Sequence, residues 1–219
     1  MKLFITFIRH GTTKPNTEGC WAGSVDIPIT EEAAKALERL SDEYNYPNVD
    51  VIYRSPLVRC LQTMERIYPG RDASVIPEAR EIDFGDFEEM NAQESFKVLD
   101  GNAIKQKKLD YRFPGGESFE ECLGRGIKTI DKIVDDAKDD NGLRIALFTH
   151  AMWTSVLTSY CLEPPKTSEE LFCGNGMGIS VWIDTKEWHE RRRMHFEAVI
   201  PIGAPRPNPK NSPYLYHGI

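Results

Sequence analysis

Two histidines that each follow an apolar segment are the residues of this chain best suited to chemistry. His10 lies in Arg9-His10-Gly11, directly after the run from Leu3 to Ile8, and His150 follows Phe148-Thr149. In open α/β sheets, residues just beyond the carboxyl ends of the strands converge on one ligand site. A neutral imidazole is a nucleophile, and a neighbouring arginine attracts anions. The pattern predicts a pocket for phosphate.

Two further segments carry charged groups toward such a pocket. Arg59 lies one turn into a helix that Ser55-Pro56 is predicted to begin, because a capping hydroxyl precedes a proline. Its planar guanidinium can donate two hydrogen bonds to phosphate oxygens. The alternative is that Arg59 is exposed to solvent, as most arginines are. The acidic segment from Glu81 to Gly85 supplies carboxyl groups. A protonated carboxyl near the pocket would be a proton donor.

The elements that position these residues alternate between strands and helices. The continuous apolar run from Leu3 to Ile8 predicts a central strand that is buried on both faces. Thr30 is predicted to cap a helix, and Ser118 with Glu121 forms a capping box for a long helix that we expect to end near Asn141-Gly142. Further strands are predicted at 49–53, 144–149, 178–184 and 193–200, with a helix at 151–162 and a connection at 187–192. The fold class predicted from this order is α/β, a three-layer α/β/α sandwich with a mostly parallel central sheet.

The length of 219 residues fits one catalytic domain, which we place at residues 1–200. Residues 201–219 are rich in proline and asparagine and are predicted to form an irregular C-terminal tail. Packing through Tyr214, Leu215 and Tyr216 is one possibility for this tail, and mobility is the expected one.

Composition excludes several classes of partner. The net charge of −7 argues against general binding to nucleic acid, which needs a basic surface. No apolar run approaches the ~18 residues of a membrane span, and Arg9 interrupts the first run before a signal peptide is complete. The lack of a complete signal peptide predicts a cytoplasmic location. The cysteines are odd in number, widely spaced and without a Cys-x-x-Cys pair, which predicts reduced thiols and argues against a disulfide framework or a zinc site.

The ordered motifs resemble those of the histidine phosphatase superfamily, also called the phosphoglycerate mutase-like family. Five blocks in the family's order carry the likeness across residues 3–151. The matching positions are Arg9-His10-Gly11-Thr12-Thr13 with Asn16, Gly23 and Asp26-Ile27-Pro28-Ile29-Thr30, then Ser55 to Thr63, Arg80 to Glu88, Pro114 to Ser118, and Thr149-His150.

The resemblance implies a role for each matching residue. It implies that His10 is the nucleophile and becomes phosphorylated, and that Glu81 is the proton donor. It assigns phosphoryl binding to Arg9, Arg59 and His150, with supporting contacts from Asn16 and Thr13. It also implies chemistry without a metal or another cofactor. Asp83, Asp86 and Glu88 remain alternative acids beside Glu81.

The leading functional prediction is a phosphomonoester phosphatase that acts on a small phosphorylated metabolite through phosphohistidine. One alternative is a 2,3-bisphosphoglycerate-dependent phosphoglycerate mutase, but the segment between Glu81 and Pro114 is short for the mutases that the chain resembles. A second alternative is a noncatalytic module that binds phosphorylated ligands. The presence of both His10 and Glu81 favours catalysis over binding alone.

Several positions depart from the family pattern or carry charge without an assigned role. The departures are Thr12 in place of an acidic residue, Glu89 in place of a glycine, and Ala151-Met152 in place of glycines. The basic stretch of Lys105, Lys107, Lys108 and Arg112 is predicted to be a solvated face. For Glu117, the sequence allows either a helix-capping role or a functional one.

Overall fold

A single six-stranded sheet forms the centre of the computed structural model, which describes residues 1–138 and 140–213. Its strands are β1 (Lys2–Arg9), β2 (Val51–Arg54), β3 (Ser74–Val75), β4 (Arg144–Thr149), β5 (Gly178–Asp184) and β6 (His195–Ile200). The spatial order is β3-β2-β4-β1-β5-β6. The first four strands run parallel, and β5 and β6 are antiparallel to their neighbours. The prediction of a mostly parallel sheet is confirmed.

The helices lie between these strands. They are α1 (Lys14–Glu18), α2 (Glu31–Glu43), α3 (Val58–Ile67), α4 (Ala92–Ser95), α5 (Gly101–Gln106), α6 (Phe119–Ala137), α7 (Ala151–Cys161) and α8 (Thr185–Arg191). Short 3₁₀ turns occupy Pro77–Ala79, Gly85–Phe87 and Pro209–Asn211. The connection predicted at 187–192 is therefore mostly the short helix α8.

Each face of the sheet packs against its own helices. Leu3, Ile5 and Phe7 of β1 belong to an apolar cluster that includes residues of α6 and α7. Ile8 belongs to a second cluster that includes residues of α2 and α3. Alternate side chains of one strand thus enter opposite layers, as the pleat requires. The expected three-layer sandwich and the burial of β1 on both faces are confirmed.

The predicted helix starts are partly confirmed. The Thr30 hydroxyl accepts a hydrogen bond from the Ala33 N–H (3.1 Å), and Ser118 and Glu121 form the expected capping box. The prediction that Ser55-Pro56 begins a helix is wrong, because α3 begins at Val58. The Ser55 hydroxyl instead lies at the end of β2, where it contacts a histidine.

The end of α6 also differs from the prediction near Asn141-Gly142. Ala137 is its last residue, and Lys138 follows with a φ of 48°. This positive φ departs from helical backbone geometry, so the helix ends there.

The described part of the C-terminal tail packs on the domain. The N–H of Ile202 donates to the Asn45 carbonyl (3.1 Å), and the Arg206 guanidinium donates to the carbonyls of Glu170 (2.7 Å) and Phe172 (2.9 Å). These contacts differ from the expected mobility, whereas residues 201–213 form no α-helix or strand and have one 3₁₀ turn at Pro209–Asn211. The packing predicted for Tyr214, Leu215 and Tyr216 falls outside the described residues.

No helix in the described ranges combines the length and the apolar character that crossing a membrane requires.

Candidate active site

The parallel strands bring the two chemically suited histidines to one edge of the sheet. Arg9 of β1 is in register with Thr149 of β4, so the next residues, His10 and His150, leave the sheet side by side. Their ring centroids are 5.2 Å apart. The convergence expected beyond the carboxyl ends of parallel strands is therefore present.

The His10 imidazole is buried and held in one tautomer. Its Nδ1 lies 2.7 Å from the Gly11 carbonyl oxygen. A carbonyl oxygen only accepts, so Nδ1 carries the proton and Nε2 keeps its lone pair. Burial, followed by the charges of Arg59 and Arg9, lowers the pKa of His10 well below its usual 6.5. At neutral pH His10 is an uncharged imidazole with a basic Nε2.

Three polar contacts fix the backbone around His10. The Gly11 N–H donates to the Thr63 hydroxyl (2.8 Å), and that hydroxyl donates to the Arg59 carbonyl (2.6 Å). The Asn175 amide donates to the His10 carbonyl (2.9 Å). Asn175 was not predicted from the sequence, because it precedes β5 in a loop with no motif and reaches His10 only through the fold.

The His150 ring is fully buried and uses both nitrogens in contacts with the protein. The Arg59 Nε–H donates to Nδ1 (3.4 Å), and Nε2 lies 2.8 Å from the Ser55 hydroxyl. With Nδ1 as acceptor, a neutral His150 donates its Nε2 proton to Ser55. Burial, then the positive charge of Arg59 and electrostatic coupling to His10, lowers the pKa of His150 well below 6.5. His150 is thus also uncharged at neutral pH.

Arg59 lies behind the histidines and anchors a neighbouring loop. It is fully buried, and its two terminal nitrogens donate to the carbonyls of Val25 (2.7 Å) and Gly23 (2.7 Å). The Glu88 carboxylate accepts hydrogen bonds from Gly23 N–H and Ser24 N–H (2.8 Å each) in the same loop. The direct contact between Arg59 and a phosphoryl group stays a prediction.

The Glu81 carboxylate occupies the N-terminus of α7. Its Oε1 accepts hydrogen bonds from the N–H groups of Trp153 (2.8 Å) and Ile82 (3.0 Å), and its Oε2 accepts one from Met152 (3.1 Å). The first N–H groups of a helix are free hydrogen-bond donors, and here the Glu81 carboxyl group occupies them. Burial raises the pKa of Glu81, although these hydrogen bonds and the charge of Arg59 act against the increase.

The alternative acids have other contacts. Asp83 accepts from the Gly85 N–H (2.8 Å), which shapes the turn at 83–85, and Glu88 accepts from the loop that holds Arg59. Glu81 is the member of this acidic segment that lines the main cavity. Position therefore favours Glu81 over Asp83, Asp86 and Glu88 as proton donor.

A buried ion pair holds the backbone that precedes Glu81. Arg125 of α6 binds both carboxylate oxygens of Glu117 at 2.6 Å. The same guanidinium donates to the carbonyls of Glu78 (2.6 Å) and Arg80 (3.0 Å). Ser118 and Glu121 cap α6, so Glu117 is not the capping residue and instead forms this ion pair.

The cavity in front of His10 has a volume of about 830 Å³. Its wall brings together most of the predicted site residues: Arg9, His10, Asn16, Glu81 and His150. Among the described residues, Arg59 and Thr13 are not part of this wall, and the Thr13 N–H donates to the Asn16 side-chain oxygen (3.1 Å). Phosphate binding by these residues stays a prediction.

The prediction of a solvated basic face is wrong for one residue. Lys107 is 5% exposed and lines the cavity, whereas Lys108 and Arg112 are exposed. Lys105 is exposed and also borders the cavity.

Within residues 1–138 and 140–213, no group of three or more His, Cys, Asp or Glu side chains is arranged to hold a metal ion. All five cysteines lie in these ranges as free thiols. Cys60 lies 3.6 Å from His150 Nε2, but burial raises its pKa to about 12, so it stays protonated at neutral pH.

Comparison with known proteins identifies the family. The chain matches a model of the histidine phosphatase superfamily (branch 1) over residues 5–193. It is 30% identical over 125 residues to phosphoserine phosphatase 1 of Hydrogenobacter thermophilus, a match that spans 55% of this chain and 59% of that protein. It is 32% identical over 166 residues, 74% of each chain, to a probable phosphatase of Schizosaccharomyces pombe.

The fold is similar to that of a mycobacterial glucosyl-3-phosphoglycerate phosphatase. The two structures superpose with a TM-score of 0.73 at 18% identity, over 90% of this chain and 98% of the other. Together with the family match, this likeness confirms the resemblance read from the sequence motifs. The chain belongs to the histidine phosphatase superfamily, branch 1.

Proposed function

We propose that this protein is a metal-independent phosphatase that hydrolyses a small phosphomonoester through a phosphohistidine at His10. The observation that carries the proposal is the hydrogen bond from His10 Nδ1 to the Gly11 carbonyl (2.7 Å). It leaves Nε2 unprotonated in a cavity that Glu81 also lines. A nucleophile and a proton donor thus share one pocket.

In the first step, His10 Nε2 attacks phosphorus and the P–O bond of the ester breaks. The departing alkoxide takes a proton from the Glu81 carboxyl, and the phosphoryl group is now bonded to His10. Burial raises the pKa of Glu81, which increases the protonated fraction available for this transfer. The intermediate replaces one difficult displacement with two easier ones.

In the second step, a water molecule attacks the phosphohistidine. The Glu81 carboxylate accepts a proton from that water, the P–N bond breaks, and inorganic phosphate leaves. His10 regains its Nε2 lone pair while Nδ1 stays bonded to Gly11. The proton balance closes, because Glu81 gives one proton in the first step and recovers one in the second.

The charge on the transferring phosphoryl group needs nearby donors. Arg9 and Asn16 line the cavity beside His10 and are proposed to bind the phosphoryl oxygens. Arg59 contributes its positive charge from behind His150 (Nε to Nδ1, 3.4 Å). Fixed donors of this kind stabilise the transition state without reorganising during the reaction.

Hydrolysis is tested with p-nitrophenyl phosphate in rapid-mixing experiments. We expect a burst of p-nitrophenol equal to the enzyme concentration, then steady release of inorganic phosphate. A parallel assay supplies 3-phosphoglycerate with 2,3-bisphosphoglycerate as primer. Isomerisation with negligible phosphate release would identify a mutase, and no turnover across a panel of phosphate esters would indicate a noncatalytic binding module.

A further inference from the structure

Lys107 places a buried cation in the wall of the catalytic cavity. The residue is 5% exposed. Its ammonium group donates to the Ser168 hydroxyl (3.0 Å) and lies 3.5 Å from the Lys105 carbonyl oxygen. Among the described residues, the hydrogen-bond partners of its Nζ are neutral oxygens, and no carboxylate forms an ion pair with it. The only resolved influence on its pKa is burial, which lowers the value to about 8.

A buried ammonium group without an anionic partner is energetically unfavourable. With a pKa of about 8, Lys107 is still mostly charged at neutral pH. An ammonium has three N–H donors, so its two contacts in the protein leave a donor for a ligand. The group therefore has both the charge and the hydrogen-bonding capacity to bind an anion that enters the cavity.

The backbone holds Lys107 in place for that role. The residue follows α5 with a φ of 49°, and its N–H donates to the Ile104 carbonyl (3.1 Å). The Tyr160 hydroxyl of α7 donates to the Lys107 carbonyl (2.6 Å). These backbone contacts end α5 and join it to α7. They do not require a charged side chain, so capping the helix does not account for a buried ammonium.

We propose that Lys107, with Ser168, forms a subsite for a second anionic group of the substrate. The inference rests on the proposed function, in which the scissile phosphoryl group lies at His10. Both His10 and Lys107 line the same cavity of about 830 Å³, which has room for a ligand much larger than phosphate. The substrate class is a phosphomonoester that carries a second acidic group, either a carboxylate or another phosphate.

The test compares substrates that differ in the second anion. One pair is 3-phosphoglycerate and glycerol 3-phosphate, which differ by a carboxylate. The other is glucose 1,6-bisphosphate and glucose 6-phosphate, which differ by a phosphate. A charge-assisted hydrogen bond predicts that kcat/KM is about 10- to 100-fold higher for the acidic member of at least one pair. The pair that shows the preference identifies the anion.

Variants at two neighbouring lysines assign the preference. Lys107→Met removes the charge with similar side-chain length and is expected to abolish the preference, mainly through a higher KM for the acidic substrate. Lys107→Arg keeps the charge and should retain most of the preference. Lys108→Met, at an exposed neighbour, is the matched control and should behave like the parent protein. Thermal unfolding of each variant checks that the fold is intact.

The outcomes separate this inference from the proposed function. Equal kcat/KM within both pairs, or an unchanged preference in Lys107→Met, overturns the subsite. If the parent protein hydrolyses no phosphate ester, the proposed function fails, and titration calorimetry with 3-phosphoglycerate and with glucose 1,6-bisphosphate then decides on the subsite. A charged hydrogen bond predicts that at least one of these two ligands binds at least tenfold more weakly to Lys107→Met than to the parent protein, which would support the subsite. If both ligands bind equally well to Lys107→Met and to the parent protein, the subsite is overturned.

Discussion

Replacing Glu81 with glutamine separates the role of a proton donor from that of a structural carboxylate. Glu81 accepts three backbone hydrogen bonds, two at Oε1 and one at Oε2 from Met152. If the glutamine carbonyl oxygen takes the place of Oε1, it keeps the hydrogen bonds from Ile82 and Trp153. Its NH₂ group then replaces Oε2 and faces the N–H of Met152. Two donors then face each other, and we expect Glu81→Gln to lose about 1–3 kcal/mol of stability.

The catalytic effect depends on the leaving group. An alkoxide needs a proton as it departs, and loss of general acid catalysis slows such a step by about 10²–10⁴-fold. A nitrophenolate is a far weaker base and departs without that proton. Glu81→Gln should therefore slow single-turnover cleavage of an alkyl phosphate severely and leave the burst rate with p-nitrophenyl phosphate close to that of the parent protein.

Rapid quench with an alkyl phosphate and stopped flow with p-nitrophenyl phosphate measure the two rates. Glu120→Gln is the matched control, because Glu120 is exposed in the first turn of α6. Equal losses with both leaving groups in folded protein would show that Glu81 supports the pocket and does not donate the proton. An unchanged rate with the alkyl phosphate would lead to the same conclusion.

Three further predictions concern stability. The pKa of His150 is lowered in the folded protein, so the unfolded protein binds more protons and the free energy of unfolding decreases as pH falls below 6.5. His150→Asn should reduce the slope of unfolding free energy against pH by roughly 1.4 kcal/mol per pH unit between about pH 6 and 5, as measured by urea unfolding. An unchanged slope contradicts a neutral His150. Arg125→Met removes the close partner of the buried Glu117 carboxylate and leaves only the Arg80 guanidinium, at 3.9 Å. The loss should be about 3 kcal/mol, the lower end for a broken buried pair, against about 0–1 for the exposed Arg112→Met; similar losses in denaturant titrations would refute this. Gly85→Ala places a Cβ 2.2 Å from the Pro114 carbonyl oxygen. It should lower the free energy of unfolding by about 1–3 kcal/mol more than Gly70→Ala, because φ is also positive at Gly70 but no atom lies within 4 Å of the added Cβ. Equal losses in the two variants would refute the close contact.

The sequence predicted what depends on local pattern and parallel register. Apolar runs located β1 and β4, and the residues that follow parallel strands must leave at the same edge, so His10 and His150 were found together. The capping residues Thr30 and Ser118 marked helix starts correctly, because a cap acts within one turn of its own helix.

Contacts between distant segments were not predicted from the same patterns. The N–H groups at the start of α7 bind Glu81, which lies 72 residues before Trp153, and no local pattern joins the two segments. Lys107 was assigned to solvent because a lysine-rich stretch gives no local sign of burial. Glu89 has a φ of 60°, in the left-handed region that favours the glycine of the family pattern.

Trapping the covalent intermediate tests the central claim most directly. The enzyme is mixed with a ³²P-labelled phosphate ester, quenched in alkali within the first turnover, and digested for peptide mapping. We expect an acid-labile, alkali-stable label on His10 that is absent from His10→Ala and present in His189→Ala, a matched control at an exposed histidine. A label on another residue, or full hydrolytic activity in His10→Ala, would show that His10 is not the nucleophile.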